Sequence, residues 1–166
     1  MEYLTLTDKE LKEKLRKFVY STIGCCQDVH KEKGAELTEY IYQDCLEIAL
    51  MQEDIPFERE YHFHPSFRGI ELKSSLRVDF LIKGKIFLEC KAIEKIGFRE
   101  RTQLTNYMRN AGIRIGILYN FAPYFAQCEK FYLDTETDTI YYFYLLIFYF
   151  NPQPYNKIKW QTFHSQ

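Results

Sequence analysis

The sequence predicts an α/β fold in which a central mixed β-sheet is flanked by helices. Three observations lead there. Residues 8–53 place apolar side chains at helical spacing, in two runs. Residues 57–64 and 76–93 switch to alternation, the two-residue period of strands. Residues 86–119 then read strand, helix, strand, a unit that closes as a right-handed parallel crossover. An antiparallel hairpin joined to a parallel crossover makes the sheet mixed.

The elements follow in order. Leu11, Leu15, Phe18, Val19, Ile23, Cys26 and Val29 mark a first helix over 8–33. Thr7-Asp8-Lys9-Glu10 opens it in the form of a capping box, and Gly34 closes it. His30 reads as a surface or capping residue. A second helix spans Leu37 to Glu53, with Leu37, Ile41, Cys45 and Ile48 as its apolar stripe. Glu39, Tyr42 and Leu46 lie on the neighbouring stripe, near the edge of burial. Glu39 either points toward the polar face of the sheet or stabilises the helix start through the macrodipole. Phe57 to His64 alternates as a strand, with His62 and His64 on its polar side. Residues 65–75 form a loop with a short strand at Ile70 to Leu72.

Leu76 to Ile93 is the centre of the chain: two strands joined at Lys83-Gly84. The even-numbered Leu76, Val78, Phe80, Ile82, Ile86, Leu88, Cys90 and Ala92 are apolar and pack into a core. The odd-numbered Arg77, Asp79, Glu89 and Lys91 share the other face. A two-residue loop would turn Asp79 away from Glu89. A three-residue loop, with Gly84 at positive φ, brings Asp79, Glu89 and Lys91 together. Slipping by one residue would drive an apolar face into water, so the apolar pattern selects the second register.

Residues 94–98 connect to a helix over Arg99 to Ala111, stopped by Gly112. Gln103 and Tyr107 are four apart and share a face. Ile113 to Tyr119 is an apolar strand. Phe131 to Leu133 and Ile140 onward flank the turn at 134–138 and make a hairpin. Tyr141 to Phe150 is a dense aromatic run, too short to span a bilayer, which needs ~20 apolar residues. It is an edge strand, an interaction surface or an aggregation-prone end. Residues 151–166 hold two prolines and no period. The expected layout is one domain over 1–145 and a loose tail over 146–166.

Composition narrows the class. The chain has 166 residues and is 46% hydrophobic, enough for a substantial core and against disorder. The net charge of −1 excludes a global basic field. Residues 91–114 nevertheless carry six basic and two acidic side chains, directly after the central hairpin. Lys95, Arg99 and Arg101 in that stretch either contact phosphates or form the solvated side of a helix. Five cysteines, an odd number without metal-ligand spacing, fit reduced thiols in a cytoplasm. The charged N-terminus lacks the apolar segment of a signal peptide. No membrane association is expected.

Two carboxylates and an ammonium on one sheet face suggest a metal-dependent phosphodiester site. Hard oxygen ligands suit Mg²⁺ or Mn²⁺, and a neighbouring lysine can stabilise charge on the phosphate or help orient the water. The plainer alternative is a solvated face carrying ordinary charges. A cysteine nucleophile is disfavoured, because Cys90 falls on the apolar side of its strand.

The series Glu39, Asp79, Glu89-Cys-Lys91, then Gln103-Leu-Thr-Asn-Tyr107 resembles the PD-(D/E)xK nuclease superfamily. The Gln-apolar-x-x-Tyr element is similar to its RecB-like branch. More closely, Val29-His30-Lys31, Gly34, Glu39-Tyr-Ile-Tyr42, Arg77-Val-Asp79 and residues 116–121 resemble the GxxExxY protein family. Two positions depart from the pattern. Glu36 stands where the family has its glycine, and Val78 where the superfamily name has proline.

The resemblance implies a restriction-endonuclease-like fold. It implies Asp79 and Glu89 as metal ligands with Glu39 as a further one, Lys91 assisting the nucleophilic water, Gln103 orienting it or contacting a phosphate, and Tyr107 in support. Lys95, Arg99, Arg101 and Tyr107 would contact the nucleic acid. The expected function is Mg²⁺-dependent (or Mn²⁺-dependent) hydrolysis of DNA, with a protein partner or a homodimer as a further expectation. The alternative is a non-catalytic nucleic-acid- or protein-binding module on the same fold.

Overall fold

The computed structural model describes residues 8–146. Helices α1 (Asp8–Lys33) and α2 (Glu39–Gln52) precede strand β1 (Phe57–Phe63). A small hairpin, β2 (Ser66–Phe67) and β3 (Ile70–Glu71), separates β1 from β4 (Leu76–Ile82). Then come β5 (Ile86–Lys91), α3 (Phe98–Ala111), β6 (Ile115–Asn120), β7 (Gln127–Asp134) and β8 (Thr139–Leu146). Thr7 of the expected capping box, and all but the first residue of the expected tail, lie outside the described residues.

Six strands form one mixed sheet in the order β1-β4-β5-β6-β7-β8. β5 and β6 are parallel, joined by the α3 crossover, and the other neighbours are antiparallel. Ile82 faces Ile86 and Phe80 faces Leu88 across a three-residue loop, which is the register the apolar pattern selects. Lys83 and Gly84 both take positive φ, 53° and 64°.

Each sheet face carries its own core. On one side α1 and α2 cover Phe80, Ile82, Leu88, Cys90, Ile117 and Tyr119. On the other, α3 covers Leu81, Phe87 and Leu118 through Leu104 and Met108. α3 lies so close to β6 that a β-carbon at Gly116 would meet Met108 Sδ at 2.5 Å. The odd-numbered face of the hairpin is therefore largely a second core.

Strand parity also breaks once, contrary to the expected run of even core positions. Phe80 and Ile82 join the core under α1 and α2, whereas Leu76 and Val78 pack with the α3 cluster. β1 changes sides likewise: Phe57 packs with the first cluster and Tyr61 and Phe63 with the second. The switch falls at Glu60, which takes φ 51°, and at Asp79 opposite it, where the ladder between β1 and β4 skips one pair. A residue in the left-handed region interrupts the pleat as a bulge does.

The buried stripe of α2 is Tyr42, Gln43, Leu46 and Leu50, not Ile41, Cys45 and Ile48; Ile41 and Ile48 are exposed. Tyr42 decides the rotation. Its ring stacks on Phe121 at 4.6 Å, and its hydroxyl donates to Gly34 O and accepts from Leu37 N–H. His30 is a further correction. It is buried, with Nε2 2.9 Å from Pro123 O. The loop of residues 121–126 thus sits on the α1–α2 connection.

β7 begins at Gln127, four residues before the expected start, because Cys128 and Glu129 are buried despite a polar local sequence. The aromatic run enters β8, which pairs with β7 at the sheet edge; residues 147–150 of the run lie outside the described residues. Among the described residues no helix is long and apolar enough to cross a membrane. All five cysteines are free.

Candidate active site

The ends of the strands bring the predicted residues together. Phe63, Leu76, Lys91, Asn120 and Gln127 all stand at one end of the sheet. The loops of residues 64–75, 92–97 and 121–126 leave from that end, and α3 begins there.

At the parity switch the ladder between β4 and β5 stops at Phe80 and Leu88. The Asp79 side chain takes over. The Cys90 N–H donates to Asp79 Oδ2 at 2.8 Å, so a carboxylate stands in for a backbone acceptor between two strands. One position on, Lys91 Nζ donates to Glu89 Oε2 at 3.1 Å and to Gln103 Oε1 at 3.3 Å. Gln103 Nε2 in turn donates to the Tyr107 hydroxyl at 3.1 Å. Tyr107 packs edge-on against Phe63. Helical i, i+4 spacing on α3 thus continues a polar chain that starts on β5.

Burial sets the electrostatics. Asp79 retains 9% of its exposure and Glu89 3%. Desolvation raises both carboxyl groups above their ordinary range, and the charge of Asp79 raises Glu89 further. The Cys90 amide and Lys91 pull Asp79 back, and Lys91 does the same for Glu89. Desolvation alone would lower the Lys91 ammonium, but Glu89, Asp79 and Glu39 together raise it. Lys91 stays charged. Glu39, first residue of α2, is raised by burial and by Asp79, and lowered by Lys91 and the Ala92 amide. Its carboxylate therefore lies in the field of the cluster rather than only at a helix start.

Three carboxylates thus share one nearby ammonium, and among the described residues the buried Glu89 Oε1 has no partner in hydrogen-bond geometry, although the Asp79 amide also favours the charged Glu89 carboxylate. An orphaned anionic oxygen beside a second carboxylate is the environment a hard divalent cation fits. Among the described residues no three His, Cys, Asp or Glu side chains stand close enough to hold an ion by themselves. A cation here would rest on Asp79 and Glu89 and keep water or substrate oxygens, as Mg²⁺ commonly does.

The basic residues divide. Lys95 and Arg99 are exposed at the start of α3. Arg101 is instead committed to Glu129, a fully buried carboxylate that it holds with two bonds of 2.8 and 2.7 Å. Its guanidinium also lies 5.5 Å from the Tyr142 ring centroid.

Asn120 and Gln127 are the positioning residues that sequence reasoning passed over. Asn120 Oδ1 accepts from Ile93 N–H, and its Nδ2 donates to Ile93 O and to Gln127 Oε1. Gln127 Oε1 also accepts from Ile96 N–H. Together they fasten the segment between Lys91 and α3. The only signal was Asn120 inside the 116–121 motif; Gln127 lies outside every element that the sequence pattern marks. Cys90 points into the core under α1 and α2, and burial pushes its thiol well above the ordinary range.

The sequence model of the PD-(D/E)XK nuclease superfamily matches residues 16–131, which include every residue of this cluster. Neither the curated proteins nor the solved structures contain a match.

Proposed function

This chain belongs to the PD-(D/E)XK nuclease superfamily, and from that premise we propose that it hydrolyses phosphodiester bonds of DNA at the Asp79–Glu89–Lys91 cluster, using Mg²⁺ or Mn²⁺. The observation that carries this reading is the orphaned Glu89 Oε1, buried beside Asp79 and next to a charged lysine. Buried polar atoms are mostly paired, so an unpaired carboxylate oxygen beside a second carboxylate favours a place for a cation. Superfamily nucleases are generally dependent on a divalent metal, and the donor set here is hard oxygen throughout.

Each group has a task in this scheme. A divalent ion held by Asp79 and Glu89 would polarise the attacking water and offset charge on the phosphate. The Cys90 amide fixes the Asp79 carboxylate in plane between the strands. Lys91 keeps its proton and faces the phosphate, where its ammonium stabilises the charge that builds as water oxygen bonds to phosphorus. The attacking water gives a proton to solvent, the bond from phosphorus to the leaving sugar oxygen breaks, and that oxygen takes a proton from solvent, giving a phosphate monoester and a hydroxyl. Gln103, fixed by Tyr107, orients Lys91. Glu39 is the further carboxylate that adjusts the local charge. Lys95, Arg99 and Arg101 contact the strand, Arg101 with only the part of its guanidinium not given to Glu129.

Within the superfamily we assign the chain to the RecB-like branch and to the GxxExxY group, on Gln103 to Tyr107 and on Glu39 to Tyr42. We take residues 1–145 as the nuclease-like domain. The test is cleavage by purified protein of single-stranded, duplex and branched DNA with Mg²⁺ or Mn²⁺, repeated for Asp79→Ala and Lys91→Ala. Activity lost in both variants is the expected result. No metal-dependent cleavage of any substrate, together with no Mn²⁺ binding that depends on Asp79, would leave a binding module on the same fold.

A further inference from the structure

We propose that the substrate is a nucleic acid strand with unpaired bases, held by a rim of exposed aromatic rings around the catalytic end of the sheet. This rests on the nuclease reading above and names its substrate class.

The two ends of the sheet differ. The loops at the Lys91 end expose Phe67 (62%), Tyr124 (65%) and Phe125, and the first residue of α3 there is Phe98, 83% exposed. None of these four rings belongs to either core cluster. The loops of residues 83–85, 112–114 and 135–138 at the opposite end carry no exposed large apolar side chain among the described residues. The rings lie outside both core clusters, and they are gathered at one end.

Their settings suit stacking. Phe67 flanks a two-residue turn in which Arg68 and Gly69 both take positive φ, 52° and 77°, a rigid hairpin tip. The Arg68 guanidinium lies 5.1 Å from the Phe67 ring centroid. Phe125 stands edge-on against Tyr124 at 5.0 Å. Phe98 is five residues before Gln103 on one helix, and the loop carrying Tyr124 is stitched to the segment before Phe98 by Asn120 and Gln127. Exposed Lys95 and Arg99 supply cations beside Phe98.

Aromatic faces beside cations are what an unpaired strand requires, since every base offers a π-face once it is unstacked. An intact duplex covers those faces and presents only edges and phosphates. A rim of rings therefore discriminates for single-stranded or frayed segments, and the basic side chains complement their backbone charge.

The test is fluorescence anisotropy with the full chain in EDTA, so that binding is read whether or not the site cleaves. The probes are a labelled oligothymidylate and a blunt duplex of matched length. The single strand is expected to bind roughly tenfold or more tightly than the duplex, and Phe98→Ala and Tyr124→Ala each to weaken it by about tenfold without shifting the melting temperature. Equal affinity for both probes, or ring variants that bind like the parent, overturns the proposal. So does a parent chain that ignores both probes and sediments as a dimer that the ring variants dissociate, since the rim is then a protein interface. Asp79-dependent cleavage that persists with no strand preference sinks this inference and leaves the nuclease reading. Rim-dependent strand binding without cleavage does the reverse.

Discussion

Asp79 Oδ2 accepts the Cys90 amide proton at 2.8 Å, so the side chain of one strand completes a rung that the backbone of that strand no longer makes. The acid is placed by the failure of the ladder, and the ladder fails because β1 and β4 change parity together at Glu60 and Asp79. Structure and chemistry therefore separate differently for different substitutions here.

Asp79→Asn keeps an acceptor for the Cys90 amide, and Asp79→Ala removes it. The alanine variant is expected to lose about 1–3 kcal/mol of stability, the usual penalty for a stranded buried donor. The asparagine variant loses clearly less. Both lose metal-dependent cleavage. Urea denaturation with a parallel cleavage assay checks this, and equal destabilisation of the two variants contradicts it.

Glu89 gives a pH dependence of known sign. Its folded carboxyl is raised to about 7, while the unfolded group releases its proton near 4.5. Between those values the native state binds more protons, so metal-free stability falls as pH rises through the window and the full penalty is present above it. Glu89→Gln flattens the slope, leaving what the likewise raised Asp79 and Glu39 contribute, and is expected to gain on the order of 1–2 kcal/mol at pH 7.5. Added Mg²⁺ or Mn²⁺ raises the melting temperature of the parent and not of Glu89→Gln. Calorimetry from pH 5 to 8 decides it, and a parental stability that rises across this range rules the account out.

Gln103 acts through Lys91. Gln103→Ala is expected to lower kcat by roughly 10–100-fold with KM little changed, a loss of transition-state orientation rather than binding. Tyr107→Phe, which removes only the hydroxyl that fixes the Gln103 amide, loses less. A KM effect without a kcat effect assigns Gln103 to binding instead.

Arg101 and Arg99 part company. Arg101→Ala strands the fully buried Glu129 and is expected to cost about 3 kcal/mol or more, partly recovered by adding Glu129→Gln. Arg99→Ala leaves the melting temperature unchanged and flattens the salt dependence of DNA affinity by a slope of about 1. Comparing thermal melts with affinities over a salt series separates the two.

Glu36 takes φ 61° on the way into α2, where the resembled motif has glycine. Glu36→Gly is expected to gain roughly 0.5–1 kcal/mol, because relief of the left-handed strain exceeds the added entropy of the unfolded chain. A fall in the melting temperature shows that the Glu36 side chain contributes more than its backbone costs.

Much of this was legible in the chain itself. Period fixes element type, so helices, hairpin and crossover could be read directly. The apolar parity of residues 76–93 set the register, because a slip of one would have put an entire face in water. That register, with the spacing from Glu89 to Gln103, was enough to bring Glu89, Lys91 and Gln103 to one place, whereas Asp79 joins them through the broken ladder. Three things belonged to the tertiary structure alone. The parity switch at Asp79 depends on a partner strand distorted at Glu60, which no local pattern encodes. The rotation of α2 is set by Tyr42 stacking on Phe121, far away in sequence. Two of the buried acids have opposite fates: Glu129 is neutralised by Arg101 from another element, while Glu89 keeps an oxygen without a partner among the described residues. Local sequence specifies which way a side chain leaves its own backbone. Which charge it meets, and how much water remains there, is decided by elements that only folding brings alongside.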